Sequence, residues 1–347
     1  TGLKMSKSKG NVMNPLELID EYGADALRFA ITTGVTPGNN QRIDERKIES
    51  ARNFVNKIWN ASRFSISKIP NDYQDEYNLG DYDLWILGKL KITIEKVNKS
   101  LEEFNFGEAQ KELYEFFWNE FCDWYIELYK SDEENNSIRN LIFVLQTSLK
   151  LLHPFLPFMT EKIWQILIST IPDKLNEFKN EKTIINSSYP SDTDFKNSDN
   201  GIEYLIKLIK SIRNLRSELR IEHSHILKIH VPDKRILSSL LMHKEALQNL
   251  CNTELTNIEI NNNFPMAVED SIFNIQIPKE LNFSEEINRI ELEINEIKKR
   301  IGPLAKRINS PNFYNNAPED VVKKEKERLA QQNKRITQLE EILRSIN

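Results

Sequence analysis

The sequence is short of cysteine: Cys122 and Cys251 are the only two in 347 residues. Two thiols cannot build the disulfide framework of a small secreted domain, so a reducing compartment, the cytoplasm, is expected. The chain lacks an apolar run of membrane-spanning length and a signal-peptide pattern, and no membrane partner is expected. It lacks an initiating methionine and opens inside a motif, which reads as part of a longer protein. His223 and His225 form an H-x-H pair, but no second His or Cys pair accompanies them, which argues against zinc; no metal ligand is assigned. His230 and His243 read as surface or satisfied core positions. No Ser–His–Asp or Cys–His arrangement can be argued at any spacing, so triad chemistry is not expected.

A chain of this length suggests two or three domains with a sizeable core. Hydrophobic residues at 39% and charged residues at 29% are ordinary for a soluble globular protein. The net charge of −5 hides a polarity. Residues 1–68 carry 11 Lys/Arg against 7 Asp/Glu, residues 69–284 carry 23 against 34, and residues 285–347 carry 13 against 11. Both ends are basic and the middle is acidic. A polyanion is drawn to the ends rather than to the whole molecule.

The sharpest stretch is the first: Lys4, Met5, Ser6, Lys7 and Ser8, with Lys9 and Gly10 after them. No period of two or of 3.6 runs through it, so it reads as a loop. Ammonium groups on a Gly-ended loop can fold over a polyphosphate and neutralise charge that grows as a phosphate leaves. Lysine serves as a flexible point charge where arginine would impose a fork.

Helical patterning dominates residues 14–170. Pro15 opens a short helix with Asn14 as N-cap, and Ala24–Thr32 is a second. A long amphipathic helix starts near Asp44, its apolar face formed by Ile48, Ala51, Val55, Ile58 and Ser62 and widened by Phe54 and Trp59. Helices are also expected over 84–103, 108–130 and 136–153, and from the Pro157 break to about Thr170. Short connections between them imply a bundle, with Trp118, Phe121, Trp124 and Tyr125 as core. Residues 172–200 read as a connector. Leu205, Leu208, Ile212, Leu215 and Leu219 then form a helical stripe with Arg213, Arg216 and Arg220 along one side. Two readings stand for these arginines: a rim covering the apolar seam, or contacts to backbone phosphates.

Residues 226–280 change period. Strands are expected over 226–231, 255–260 and 271–277, with one helix over 234–251, making a small α/β module. The last stretch carries an a/d seam: Ile287, Ile290, Ile294, Ile297, Ile301, Leu304 and Ile308 step by three and four. Asn309 to Asn312 stops it, and a second seam runs from Val322 to Ile346, so the two helices should fold back as an antiparallel hairpin. Between Lys298 and Arg335 there are 11 Lys/Arg against 4 Asp/Glu. A basic distal end suits phosphates on a large nucleic acid better than it suits dimerisation. The fold class expected is mainly α: a helical bundle, a small α/β module and a C-terminal antiparallel coiled-coil hairpin.

Lys4-Met5-Ser6-Lys7-Ser8 is similar, letter for letter, to the second signature of class I aminoacyl-tRNA synthetases. Gly10–Pro15 and Tyr22–Phe29 resemble the segment next to it in the valyl, isoleucyl and leucyl group. Arg52–Phe64 and the turn Asn309–Val322 resemble the valyl branch. The resemblance covers the whole chain, as the C-terminal part of such an enzyme. It implies four parts: residues 1–45 as the tail of the catalytic domain, 46–195 as the anticodon-binding bundle, 200–283 as a connecting module, and 284–347 as a tRNA-binding arm. It implies ATP and Mg²⁺ as cofactors, the metal bound mainly outside this chain, and valine and tRNA(Val) as substrate and partner of a monomer. Lys7 is then the ATP-binding lysine, with Lys4 assisting and Met5, Ser6 and Ser8 shaping the loop. Arg213, Arg216, Arg220, Lys298, Lys299, Arg300, Arg307 and Lys324 are the implied tRNA contacts. The full-length enzyme is expected to edit threonyl-tRNA, and this part alone to be inactive. The alternatives are an isoleucyl or leucyl ligase and a non-catalytic tRNA-binding coiled-coil module.

Overall fold

A computed structural model describes residues 5, 12–35, 43–70, 73, 79–132, 137–172, 175, 181–191, 201–260, 263–276, 284–308 and 319–346. Two compact units emerge, residues 1–203 and 204–347.

In the first unit, α1 (Pro15–Tyr22) begins as expected, with Asn14 Oδ1 accepting from Leu16 N at 3.1 Å. Gly23 then takes φ 92°, a left-handed value that strains any residue with a Cβ, and leads into α2 (Ala24–Thr32). In α3 (Glu45–Ser67), the N-cap Asp44 accepts from Lys47 N. Its inner face buries Ile48, Ala51, Phe54, Val55, Ile58 and Ala61. α4 (Asp81–Glu102), α7 (Ile138–Leu152) and α8 (Pro157–Thr170) complete the expected set, with Pro157 at a helix start where its missing N–H costs nothing.

One helix departs from expectation. The stretch read as a single α-helix over 108–130 runs as α5 (Phe106–Tyr114), a π-helical segment (Glu115–Tyr125) and α6 (Ile126–Ser131). Phe117, Phe121, Tyr125 and Tyr129 form a ladder with ring centroids 5.1–6.2 Å apart. Phe121, Trp124 and Tyr125 are core as expected. Trp118 is only half-buried, stacked on Tyr114 and Phe54 with the Lys57 ammonium 5.1 Å from its ring centroid.

The tail is sewn to the bundle. Asp25 is 7% exposed and accepts from Met159 N at 2.6 Å and Phe158 N at 3.4 Å, so a residue of α2 caps α8. Gln110 donates to Phe29 O and to Thr32 Oγ1. Gly107 lies where a Cβ would come 2.4 Å from Val35 O, so no other residue fits there without backbone movement.

The second unit takes in nearly all of α9 (Ile202–Glu218), whose Leu205, Leu208, Ile212 and Leu215 are buried as the stripe predicts. Its sheet has the order β2-β1-β4-β3, with β1 (Leu227–His230) parallel to β2 (Thr253–Thr256) and antiparallel to β4 (Ser271–Gln276). Three details differ from the sequence reading. The 234–251 helix is two, α10 (Lys234–Leu241) and α11 (Lys244–Cys251), divided at Met242 and His243. The second strand precedes its expected place and pairs through Thr253–Thr256. A further strand, β3 (Asn263–Val268), buries Phe264, Met266 and Val268 in alternation. Pro265 hides it from sequence reading, yet β3 is an edge strand, where proline is tolerated.

The arm consists of α12 (Ser284–Ile308) and α13 (Glu319–Ile346), packed on each other. The seam is real: Ile290, Ile294, Ile297 and Ile308 on α12 and Ile336 and Leu339 on α13 are buried. α12 continues through Pro303, a position the seam reading passes over. The turn, Asn309–Pro318, lies outside the described residues.

Candidate nucleic-acid interface

Of the lysine loop, Lys4, Ser6, Lys7 and Ser8 lie outside the described residues; Met5 is exposed.

The three arginines beside the α9 stripe separate. Arg216 is 7% exposed. Its Nε donates to Cys251 O at 3.0 Å, Nη1 to Glu222 O at 2.9 Å, and Nη2 to His225 O at 2.7 Å and Asn252 O at 3.0 Å. Four carbonyls occupy its fork, including two at the C-terminus of α11, where a cation meets the negative end of the helix. Expected as a phosphate contact, Arg216 is instead an internal brace. Arg213 is exposed and donates its Nε to Leu250 O, one residue earlier at the same helix end. Arg220 is exposed, in the left-handed region at φ 49° just past α9.

On the arm, Lys298 and Arg300 are exposed but paired, Lys298 with Glu340 at 2.7 Å and Arg300 with Glu296 at 2.8 Å. Pairs this exposed contribute little to stability. Lys299 and Lys324 are exposed. The Arg307 side chain lies outside the described residues. Toward its base, the arm is clamped to α9. Arg335 reaches Glu218 at 2.7 Å and Glu293 at 2.9 Å, and Arg289 donates to Glu218 O at 2.6 Å and lies 3.5 Å from Glu293. Hydrogen bonding to Glu218, and then to Glu293, holds the Arg335 guanidinium above its usual pKa, although burial opposes it.

The bundle contains a buried carboxylate. Asp83, fully buried, accepts from Tyr125 Oη at 2.6 Å, Ser137 N at 2.7 Å, Asn140 Nδ2 at 3.0 Å and Gly80 N at 3.1 Å. Burial pushes its carboxyl up, and the four donors pull against it. With its oxygens taken up inside the core, it ties α4 to the π segment and α7 rather than doing chemistry. Burial pushes the Cys122 thiol up to about 12, so this cysteine is a small apolar core residue.

One surface escaped the sequence reading. A cleft of about 560 Å³ opens between α2, α3 and α8, lined by Tyr22, Arg52, Asn56, Trp59, Phe158 and Lys162 among others. Trp59, read from the sequence as widening the apolar face of α3, is only half-buried and lines this cleft beside the exposed Arg52 and Asn56. Among the described residues, no group of three His, Cys, Asp or Glu could hold a metal ion, and no helix is long and apolar enough to cross a membrane.

Comparison with known proteins places these features in a class. Residues 1–44 match a family model described as tRNA synthetases class I (I, L, M and V), and residues 83–231 match the anticodon-binding domain of tRNA ligases. Together these two matches define the class: the class I aminoacyl-tRNA synthetases. Residues 282–347 match the valyl tRNA synthetase tRNA binding arm. The chain is 38% identical over 347 residues to the valine–tRNA ligase of Staphylococcus aureus (strain MRSA252), a match that spans 94% of this chain and 38% of that protein. It is 35% identical over 372 residues to that of Lactobacillus johnsonii, spanning 99% of this chain and 41% of that protein. The chain belongs to the valyl-tRNA synthetase family and corresponds to its C-terminal part. It spans about two fifths of the length of these relatives. Among solved structures, a leucyl enzyme, LeuRS of Agrobacterium radiobacter K84 in a ternary complex with tRNA, is 19% identical with a TM-score of 0.43. The match covers 63% of this chain and 28% of that one, a likeness too weak to bear on fold or function.

Proposed function

We propose that this chain is the tRNA-binding portion, with the ATP-handling loop, of a valine–tRNA ligase. The observation that carries the reading is the pairing of a lysine loop at one end with a valyl-type arm at the other, in a chain matching valine–tRNA ligases over nearly all of its length. In the whole enzyme, the carboxylate of valine attacks the α-phosphate of ATP and pyrophosphate leaves. The terminal ribose of tRNA(Val) then takes the valyl group from the adenylate. Lys7, assisted by Lys4, neutralises the charge gathering on the departing pyrophosphate, and Met5, Ser6 and Ser8 shape the loop. Mg²⁺ would share that charge. Its binding falls mainly to the part of the enzyme outside this chain.

The four parts, residues 1–45, 46–195, 200–283 and 284–347, divide the work: loop and tail, anticodon bundle, connector, arm. Arg220, Lys298, Lys299, Arg300, Arg307 and Lys324, together with Arg213, would contact tRNA phosphates, while Arg216 braces the connector. The enzyme works as a cytoplasmic monomer, and editing of threonyl-tRNA belongs to the full-length protein. Charging assays of the intact ligase with valine, isoleucine and leucine test the assignment. Charging of tRNA(Val) with valine is expected; preferential charging with isoleucine or leucine would overturn it.

A further inference from the structure

The cleft between α2, α3 and α8 is built from unlike parts. Phe158 stands at its edge, 65% exposed. Trp59 is half-buried within it, and Asn56 presents an exposed amide. Arg52 and Lys162 are both exposed, and neither has an ion pair among the described residues. The one carboxylate in the lining is Asp25, which is buried and turned onto the backbone N–H groups of Phe158 and Met159. That bond also fixes where α8 starts, and so where Phe158 stands. The cleft therefore presents aromatic faces, an amide and two cations; the exposed acids Glu21, Glu45 and Glu49 gather about its other aromatic, Tyr22.

At about 560 Å³, its volume lies within the roughly 300–1,000 Å³ of ordinary ligand clefts. Aromatic faces between cations are the recurring means of holding an unstacked nucleobase together with its phosphate. A protein partner would call for a wider apolar surface, and a free small anion would leave the exposed aromatics without a use. We propose that this cleft is a subsite for one unstacked nucleotide of a bound RNA, with the base against Phe158 and Trp59 and the phosphate between Arg52 and Lys162. This rests on the tRNA-binding reading above and adds a site outside the arm and the α9 arginines.

The test uses the intact ligase and tRNA(Val). Phe158→Ser removes a mostly exposed ring, and the paired change Arg52→Gln with Lys162→Gln removes the cations; neither opens the core. Each is expected to raise the tRNA KM about tenfold. Trp59→Phe, which keeps a face, should stay within about threefold of wild type. Ultraviolet crosslinking of the wild-type complex should place RNA on the tryptic peptide of residues 151–162. ATP–pyrophosphate exchange with valine, which needs no tRNA, separates failure of this proposal from failure of the ligase assignment. If exchange is normal and Phe158→Ser leaves the tRNA KM within about twofold, the subsite is overturned. It is overturned equally if only the cation pair matters, since that result means phosphate contact without a base.

Discussion

Asp83 and Arg216 show how a charged residue inside this protein is held by what points at it. Both oxygens of Asp83 accept two bonds each, Oδ1 from Tyr125 and Asn140 and Oδ2 from Gly80 and Ser137. Asp83→Asn must turn an NH₂ toward one pair of donors whichever way the amide lies. It should destabilise the chain by about 3 kcal/mol, read from urea unfolding, while Tyr125→Phe should cost about 1 kcal/mol. An Asn variant as stable as wild type would contradict the network. Arg216 and Arg220 make the converse pair. Arg216→Gln leaves buried carbonyls short of donors and should lower the melting temperature with no change in the salt slope of tRNA binding. Arg220→Gln should leave melting unchanged and weaken tRNA binding. Reversed outcomes would return Arg216 to the phosphate contacts. Spacing alone could not separate the two, because each lies on the same side of the α9 stripe; the burial of one comes from the docking of α11.

At the scale of elements, the arm makes the most specific claim. Its cations lie outward of the Glu218–Arg289–Glu293–Arg335 clamp, which fixes the base. Reversing Lys298, Lys299, Arg300, Arg307 and Lys324 to Glu should raise the tRNA KM and flatten its salt dependence, with pyrophosphate exchange unchanged. An unmoved KM would make these charges a solvated face. The arm was legible in the sequence because a seam of isoleucines at steps of three and four has few other uses. The helices of the first unit were legible for a different reason, since Asn14, Asp44 and Pro157 mark the starts of α1, α3 and α8. The π winding of Glu115–Tyr125 was not, because its side chains suit either winding. β3 was not, because Pro265 argues against any strand but an edge one. The cleft at Trp59 and Phe158 was not, because its residues come from three helices that only folding brings together.

In the proposed ligase, adenylate chemistry falls at one end of this chain and tRNA contacts fall along the rest. The chain by itself should bind tRNA weakly, with an affinity that falls steeply as salt rises, and should catalyse no valine-dependent exchange. Filter binding at two salt concentrations, with exchange measured on the same sample, checks both halves. The most direct measurement of the central claim is valine-dependent ATP–pyrophosphate exchange by the intact ligase, wild type against Lys7→Ala. Wild type is expected to exchange with valine, and Lys7→Ala to lower the rate by about a hundredfold, equivalent to about 3 kcal/mol of transition-state stabilisation, while the KM for valine stays nearly the same. Exchange within about threefold of wild type would contradict the role given to Lys7, and wild-type exchange that ignores valine would contradict the ligase itself.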